Sequence, residues 1–325
     1  MSSRAQLLTP SNLRTDCRLP LECRQTWFQL GPTTFSDHHR RDDDDMTSRL
    51  PSNADGYAIA THGLTKVSST VFGPREPNRT GAFSSSTTTT TTASNPQDTA
   101  TLNVQLTIAT WADRSKPDSS KRKQLSSRDK RTVELAASIK ATFEPVILLH
   151  LYPRSTIDIH VHVIEQDGAL LQAATNATTL ALVSAGIPLT DYVCSLSLAS
   201  YPFVSPSAPP QIPPFTLTTP SPSNQNQTGS GSTTLIDLTM QEESSLPNVT
   251  VAVLPKTQTV TLINLETRIS VNRFEELLRW AIQGSQVIHG AMQQAVMEWA
   301  QSLAVPNPMI EELFPKLKQT IEEDM

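Results

Sequence analysis

The stretch that most constrains how this chain can fold runs from Leu151 to Pro188, LYPRSTIDIHVHVIEQDGALLQAATNATTLALVSAGIP. Tyr152-Pro153-Arg154 breaks any preceding helix, because proline has no amide hydrogen to donate. Ile157, Ile159, Val161 and Val163 then alternate with Asp158, His160 and His162, the period of a strand with one buried face. Asp167-Gly168 is a tight turn. After it, Leu170, Ala173/Ala174, Ala177, Leu180/Ala181 and Ser184 recur at three-to-four spacing until Gly186 and Pro188 end the run. The order is strand, turn, buried helix, and the small residues of that helix let its backbone lie close to a sheet.

The flanks extend the pattern. Ala5–Leu30 reads as a short helix or arm leading into the first strand, and Gly56–Gly73 as a hairpin turning at His62-Gly63. Leu102, Val104, Leu106 and Ile108 give one apolar strand face. A helix is predicted from about Asp129, with Leu135, Ile139 and Phe143 every four residues. Pro145–Tyr152 reads as a fully apolar strand buried on both faces. A second round begins at Asp191, with strands near Val193–Leu198, Val249–Leu254 and Thr259–Leu265. Asn272 with Glu275 resembles a capping box for an amphipathic helix, or pair of helices, that ends near Ser302 and bends at Gly284. Strands followed by helix, twice, predict a duplicated α+β unit.

The Asp37–Asp45 run, the low-complexity Ser84–Thr92 tract, Pro202–Ser232 and the acidic tail cannot bury enough apolar area to offset their ordering entropy and read as loops. His38 and His39 fall in such a loop rather than in a metal site. The 325 residues suffice for one large or two medium domains. A formal charge of −5 argues against nucleic-acid binding by bulk charge, so any RNA contact must use local patches. Cys17, Cys23 and Cys194 form neither a metal-like cluster nor a disulfide scaffold, as in a reduced cytosolic or nuclear chain. No signal core or bilayer-length apolar run is visible, so a soluble intracellular protein is expected.

The motifs LYPRSTIDIHVHVIEQDG and NATTLALVSAGIPLTDYVC resemble the RNase PH-like subunits of the eukaryotic RNA exosome, in a divergent fungal form. The resemblance continues, in the family's order, through Leu13–Arg18, Gly63–Pro77, Arg128–Glu134, Thr234–Glu243 and Val249–Pro255. It implies an α+β fold of the RNase PH type (ribosomal protein S5 domain 2-like), with duplicated β/α units and long disordered loop insertions. Domain 1 would span 11–187 with insertions near 36–53 and 84–98, domain 2 would span 188–302 with one near 202–232, and 303–325 would be an acidic tail. The family's Asp-Gly-Arg reads Asp16-Cys17-Arg18 here, so the local backbone is expected to differ.

Active relatives split RNA 3′ ends with inorganic phosphate. Such chemistry needs an anion site, basic residues along the RNA and a carboxylate for metal or proton handling. Their phosphate sits where the turn meets the buried helix, on a Thr/Ser-Arg pair; those positions are Leu170 and Leu171 here. Leucine offers no donor and no charge, and each lost charge-assisted hydrogen bond costs about 1.5–3 kcal/mol. Asp237 matches the first carboxylate of active members and Glu243 replaces the second; the plain reading is that Asp237 ends a strand and Glu242/Glu243 are solvated.

Lys121, Arg122, Lys123, Arg128, Lys130 and Arg131 make the most basic stretch; spacing alone suggests a solvated loop and helix start, whereas the resemblance puts Arg128, Lys130 and Arg131 on an RNA path. No aromatic residue interleaves these charges, so base stacking is not indicated. Arg154 could join that path or form an ion pair. Asp158, His160 and His162 imitate a metal triad but read as the polar face of a strand or a subunit contact. The implied function is a non-catalytic structural and RNA-channel subunit of the exosome ring, without cofactor. Mg2+ and phosphate enter only under the alternative of an active phosphorolytic 3′→5′ exoribonuclease. Implied partners are other RNase PH-like subunits in a hexameric ring, S1/KH cap subunits, hydrolytic nucleases and RNA, in nucleus, nucleolus and cytoplasm.

Overall fold

The computed structural model describes residues 7–9, 13–31, 54–76, 99–112, 121–202 and 232–304. The Asp37–Asp45 run with His38 and His39, the Ser84–Thr92 tract, the interior of the Pro202–Ser232 segment and the acidic tail lie outside them. The first sheet orders its strands β1 (Thr26–Leu30), β2 (Gly56–His62), β3 (Thr65–Arg75), β5 (Thr156–Glu165) and β4 (Thr101–Ile108). All neighbours are antiparallel except β4 and β5, which run parallel and are joined through helix α1 (Lys121–Phe143). The second sheet, antiparallel throughout, orders β7 (Ser232–Ile236), β6 (Cys194–Pro202), β8 (Asn248–Leu254) and β9 (Thr259–Leu265). The short α3 (Met240–Ser245) follows β7, and α4 (Val271–Ala304) closes the order.

The organising stretch folds as read. Ile157, Ile159, Val161 and Val163 of β5 are buried, and α2 (Leu170–Ser184) is buried from Leu170 through Leu182. A helix buried all round needs neighbours on every side, and α2 has them: it packs on β2 and β3 of one sheet and on β6 and β8 of the other. Its polar residues are not errors in that core. β7 pairs only with the far half of β6, from Leu198 on. Along the rest of that edge, Gln172 Oε1 accepts from the Ser197 amide at 2.8 Å and Asn176 Oδ1 from the Ser195 amide at 2.8 Å. Thr179 donates to the Val193 carbonyl at 2.8 Å. Spaced four and three residues apart, these side chains share one helix face and stand where a strand would otherwise satisfy the backbone.

Before β1 the described residues take the second of the two forms expected there, an arm, with a Leu8–Arg14 bridge. Several expectations need correction. Pro145–Tyr152 is not a doubly buried strand: Ile147 makes one isolated bridge to Leu189 and Leu149–Leu151 is a 3-10 turn. Its run of apolar residues covers the core edge with Val146 and Ile147 and leaves Leu151 51% exposed. The basic helix starts at Lys121, not near Asp129, so Lys121, Arg122 and Lys123 belong to a helix rather than a loop. Helix α4 is single and unbroken, and it begins at Val271, so Asn272 lies inside it and cannot cap it; Ser270 instead accepts the Phe274 amide through its carbonyl. Gly284 does not interrupt α4. It admits Leu196, whose Cδ2 would lie 2.5 Å from an added Cβ. No described helix is long and apolar enough to cross a membrane.

Cys17, which stands where the family pattern has glycine, lies in the left-handed region that favours glycine, with φ at +64°. A side chain in the left-handed region costs about 1–2 kcal/mol, and glycine's greater chain freedom gives back about 0.5–1 kcal/mol of that. Cys17→Gly is therefore expected to stabilise the fold by about 0.5–1 kcal/mol, read as a rise in thermal midpoint. A midpoint that falls would show the thiol to be making a contact of its own.

Candidate functional site

The turn after β5 and the segment after β7 meet face to face. Gly168, at φ +84°, lies so close to that segment that an added Cβ would sit 2.5 Å from the Thr239 carbonyl carbon and 2.6 Å from the Met240 nitrogen. Thr65 fastens the turn from the first sheet, donating to the Gly168 carbonyl at 2.8 Å and accepting from the Asp167 amide at 3.0 Å. A cleft of about 500 Å³ opens at this junction, lined by Thr15, Asp16, Asp167, Thr239 and Gln241 among others.

Asp237 does end strand β7, but it is far from idle. Its side chain is fully buried, its φ is +56°, and its carboxylate accepts a fork from Arg24: Nε at 3.1 Å and Nη2 at 2.7 Å, with the Arg24 amide at 2.8 Å. Gln172 approaches the same carboxylate at 3.5 Å. Arg14, 1% exposed, donates to the Asp237 carbonyl at 3.3 Å and pairs with Glu242 at 3.3 Å. Arg18 reaches that carbonyl too, at 3.4 Å. Burial alone would raise the Asp237 pKa, but hydrogen bonding and charge from Arg24 outweigh it and hold the carboxyl below its ordinary value. Nearby, burial pushes His62 down to about 4, so this imidazole is neutral, with Nε2 3.3 Å from the Asn176 amide nitrogen. Burial and the Asp237 charge push the Cys23 thiol up to about 11.

Glu242 is not solvated, and Glu243 is only partly so. Glu242 is buried, and Glu243 turns inward to accept the Ala169 amide at 3.0 Å. Ala169 is the N-cap position of α2, with φ +51° and no capping side chain of its own. A carboxylate at this end of a helix complements its dipole. Burial nevertheless raises the Glu243 pKa, with the Ala169 amide and the Arg131 charge opposing. Leu170 and Leu171 are 4% and 5% exposed and belong to the main core.

The predicted residues therefore separate into groups. Asp237, Glu243, Leu170 and Leu171 gather at one junction, and Arg131 lies within electrostatic reach of Glu243. Lys130 and Arg131 are exposed on α1, whereas the side chains of Lys121, Arg122, Lys123 and Arg128 lie outside the described residues. Arg154 precedes β5 and so stands at the far end of a ten-residue strand from the junction, about 30 Å away at 3.3 Å per residue. His160 packs edge-on against Phe72 and Asp158 accepts from Asn103, and no group of three or more metal-ligating side chains forms among the described residues. Mg2+ does not fit at Asp237, since it would have to displace the Arg24 fork from both carboxylate oxygens. Sequence reasoning missed Arg14 and Arg24. Arg14 sat in the matched LRTDCR motif, but Arg24 lies outside every motif and meets Asp237 across 213 positions.

Residues 45–188 match the model of the 3′ exoribonuclease family, domain 1. The exosome complex component ski6 of Schizosaccharomyces pombe is 32% identical over 251 residues, covering 77% of this chain and 84% of that protein. SKI6 of Saccharomyces cerevisiae is 27% identical over 299 residues, covering 92% and 96%. Among solved structures, rice Rrp46 superposes with a TM-score of 0.58 at 18% identity, covering 87% of this chain and all of that one. With two sheets around one buried helix and relatives matched along most of its length, the chain belongs to the RNase PH family, on the branch of the exosome complex components SKI6 and RRP41.

Proposed function

We propose that the chain is a non-catalytic, structural and RNA-channel subunit of the exosome core ring, serving 3′→5′ RNA processing and decay, including ribosomal RNA maturation and messenger turnover. It would stand beside other RNase PH-like subunits in a hexameric ring under S1/KH cap proteins. RNA 3′ ends would pass through to separate hydrolytic nucleases, in nucleus, nucleolus and cytoplasm. Two units, 11–187 and 188–302, would form its body around the shared core.

One observation carries the non-catalytic part. The mouth of α2, where an active relative would seat phosphate, is closed by this chain's own groups: Glu243 on the Ala169 amide, with Leu170 and Leu171 turned into the core. An incoming phosphate would meet a carboxylate of its own sign and no guanidinium or hydroxyl from those two positions. Asp237, matched to a catalytic carboxylate, is tied to Arg24 and serves the junction instead.

The test is an incubation of the protein, alone and with its ring partners, with single-stranded RNA, magnesium and phosphate. No phosphate-dependent nucleoside diphosphate is expected. Its release would replace this reading with that of an active phosphorolytic exoribonuclease using Asp237 and Glu243.

A further inference from the structure

Trp111 is 74% exposed, yet its ring is not free to turn: Nε1 donates to the Ile164 carbonyl at 3.0 Å. The indole is thus tethered by one edge just past the end of β4, where the Ala109 amide continues the ladder to Val163. Three residues beyond Ile164 the chain reaches Asp167 and the α2 mouth. Because β4 and β5 are parallel, the crossover helix α1 must run back along them. Its first half, with the basic run, therefore starts at the strand ends where Trp111 stands. Arg131 falls at the same end, since its charge bears on Glu243, and Glu243 holds Ala169.

We propose that Trp111 is a stacking platform for a base of single-stranded RNA, with Lys130 and Arg131 of α1 to meet the backbone phosphates. The proposal rests on the RNA-channel reading above and adds the residue that grips bases. Sequence spacing gave no sign of it, because no aromatic residue lies within the basic run. Crossover topology supplies one. A tethered indole presents its faces without losing rotamer freedom on binding, and a stacking site needs a face. The strand leading to Trp111 shows Asn103, Gln105 and Thr107 to solvent, so the indole stands at a polar, wet surface that an RNA strand can reach.

The experiment uses the full chain assembled with its ring partners. A single-stranded oligouridylate, and the same RNA with abasic sites, are titrated at fixed salt, with indole fluorescence as a second readout. Trp111→Leu is expected to weaken binding of intact RNA by about 5- to 150-fold, while Trp111→Phe retains most of it. Abasic RNA should bind wild type and Trp111→Leu alike. Arg131→Glu should weaken intact and abasic RNA equally and flatten the salt dependence. If Trp111→Leu binds intact RNA like wild type while Arg131→Glu still weakens it, stacking is wrong and the RNA-channel reading survives. If Arg131→Glu also has no effect, the RNA-channel reading falls as well. If Trp111→Leu cannot assemble, the wild-type titrations decide. Equal binding of intact and abasic RNA there makes Trp111 a subunit contact and overturns the proposal.

Discussion

Asp237→Ala is expected to lower the stability of the whole fold by about 3–5 kcal/mol, because it removes one partner of a buried charge pair and strands the other. Arg24 would keep its guanidinium in a buried position with only the Asp167 carbonyl, at 2.9 Å, and the more distant Asp167 carboxylate, at 3.9 Å, to answer it. Asp237→Asn should fall between, since an amide oxygen still accepts but carries no charge. The sign with pH follows from the lowered carboxyl pKa. The ionised form is the one that the fold favours, so this contribution is present above the unfolded value of about 3.9. It is lost as pH falls through the lower folded value. Urea denaturation of wild type and Asp237→Ala between pH 7 and pH 3 reads both effects: a large gap at neutral pH that begins to narrow as pH falls below about 3.9. A carboxylate held for chemistry alone would behave otherwise, with activity lost and the denaturation midpoint unmoved. That outcome would remove the structural role given to Asp237 here.

Gly168→Ala should have an effect of similar size for a different reason. At φ +84° a side chain is strained by about 1–2 kcal/mol. Its Cβ would also meet three backbone atoms, Thr239 C, Met240 N and Leu238 O, at 2.5–2.7 Å. Backbone cannot swing aside as a side-chain end can, so the two segments must part, adding about 1–3 kcal/mol of overpacking. The expected total is about 2–5 kcal/mol. Parting them also pulls Glu243 away from Ala169, so exchange protection of the Ala169 amide should collapse beyond the global loss. Full protection in a folded Gly168→Ala protein would show that the junction yields elsewhere.

These two sites differ in how far the sequence reveals them. Gly168 was legible: a turn between a period-two strand and a period-3.6 helix needs a residue of that kind, and the letters say so. Asp237 was legible only as a position. Its motif marks it, but whether such a carboxylate serves a metal, a proton or an ion pair depends on what faces it, and Arg24 arrives from 213 positions away. Glu243 shows the same limit. Beside Glu242 it reads as solvated charge, yet one side chain pairs with Arg14 in the interior and the other holds the Ala169 amide. The false strand at Pro145–Tyr152 failed because a short apolar run has no periodicity to declare itself. The misplaced start of α1 failed because polar, basic residues carry no burial pattern to mark a helix.

By itself the sequence determined the strand-turn-helix at 151–188, most other strands, the absence of hydroxyl and guanidinium at Leu170 and Leu171, and the family pattern that joins them. All of these are local: periodicity, turn chemistry and residue type act over a few positions. Only the tertiary structure decided that Gln172, Asn176 and Thr179 complete the edge of β6 and that Arg24 claims Asp237. It also decided that Glu243 closes the helix mouth and that Trp111 shares an end with the basic helix. Charges, amides and aromatic faces take their meaning from partners, and strand pairing and helix crossover bring those partners from distant parts of the chain.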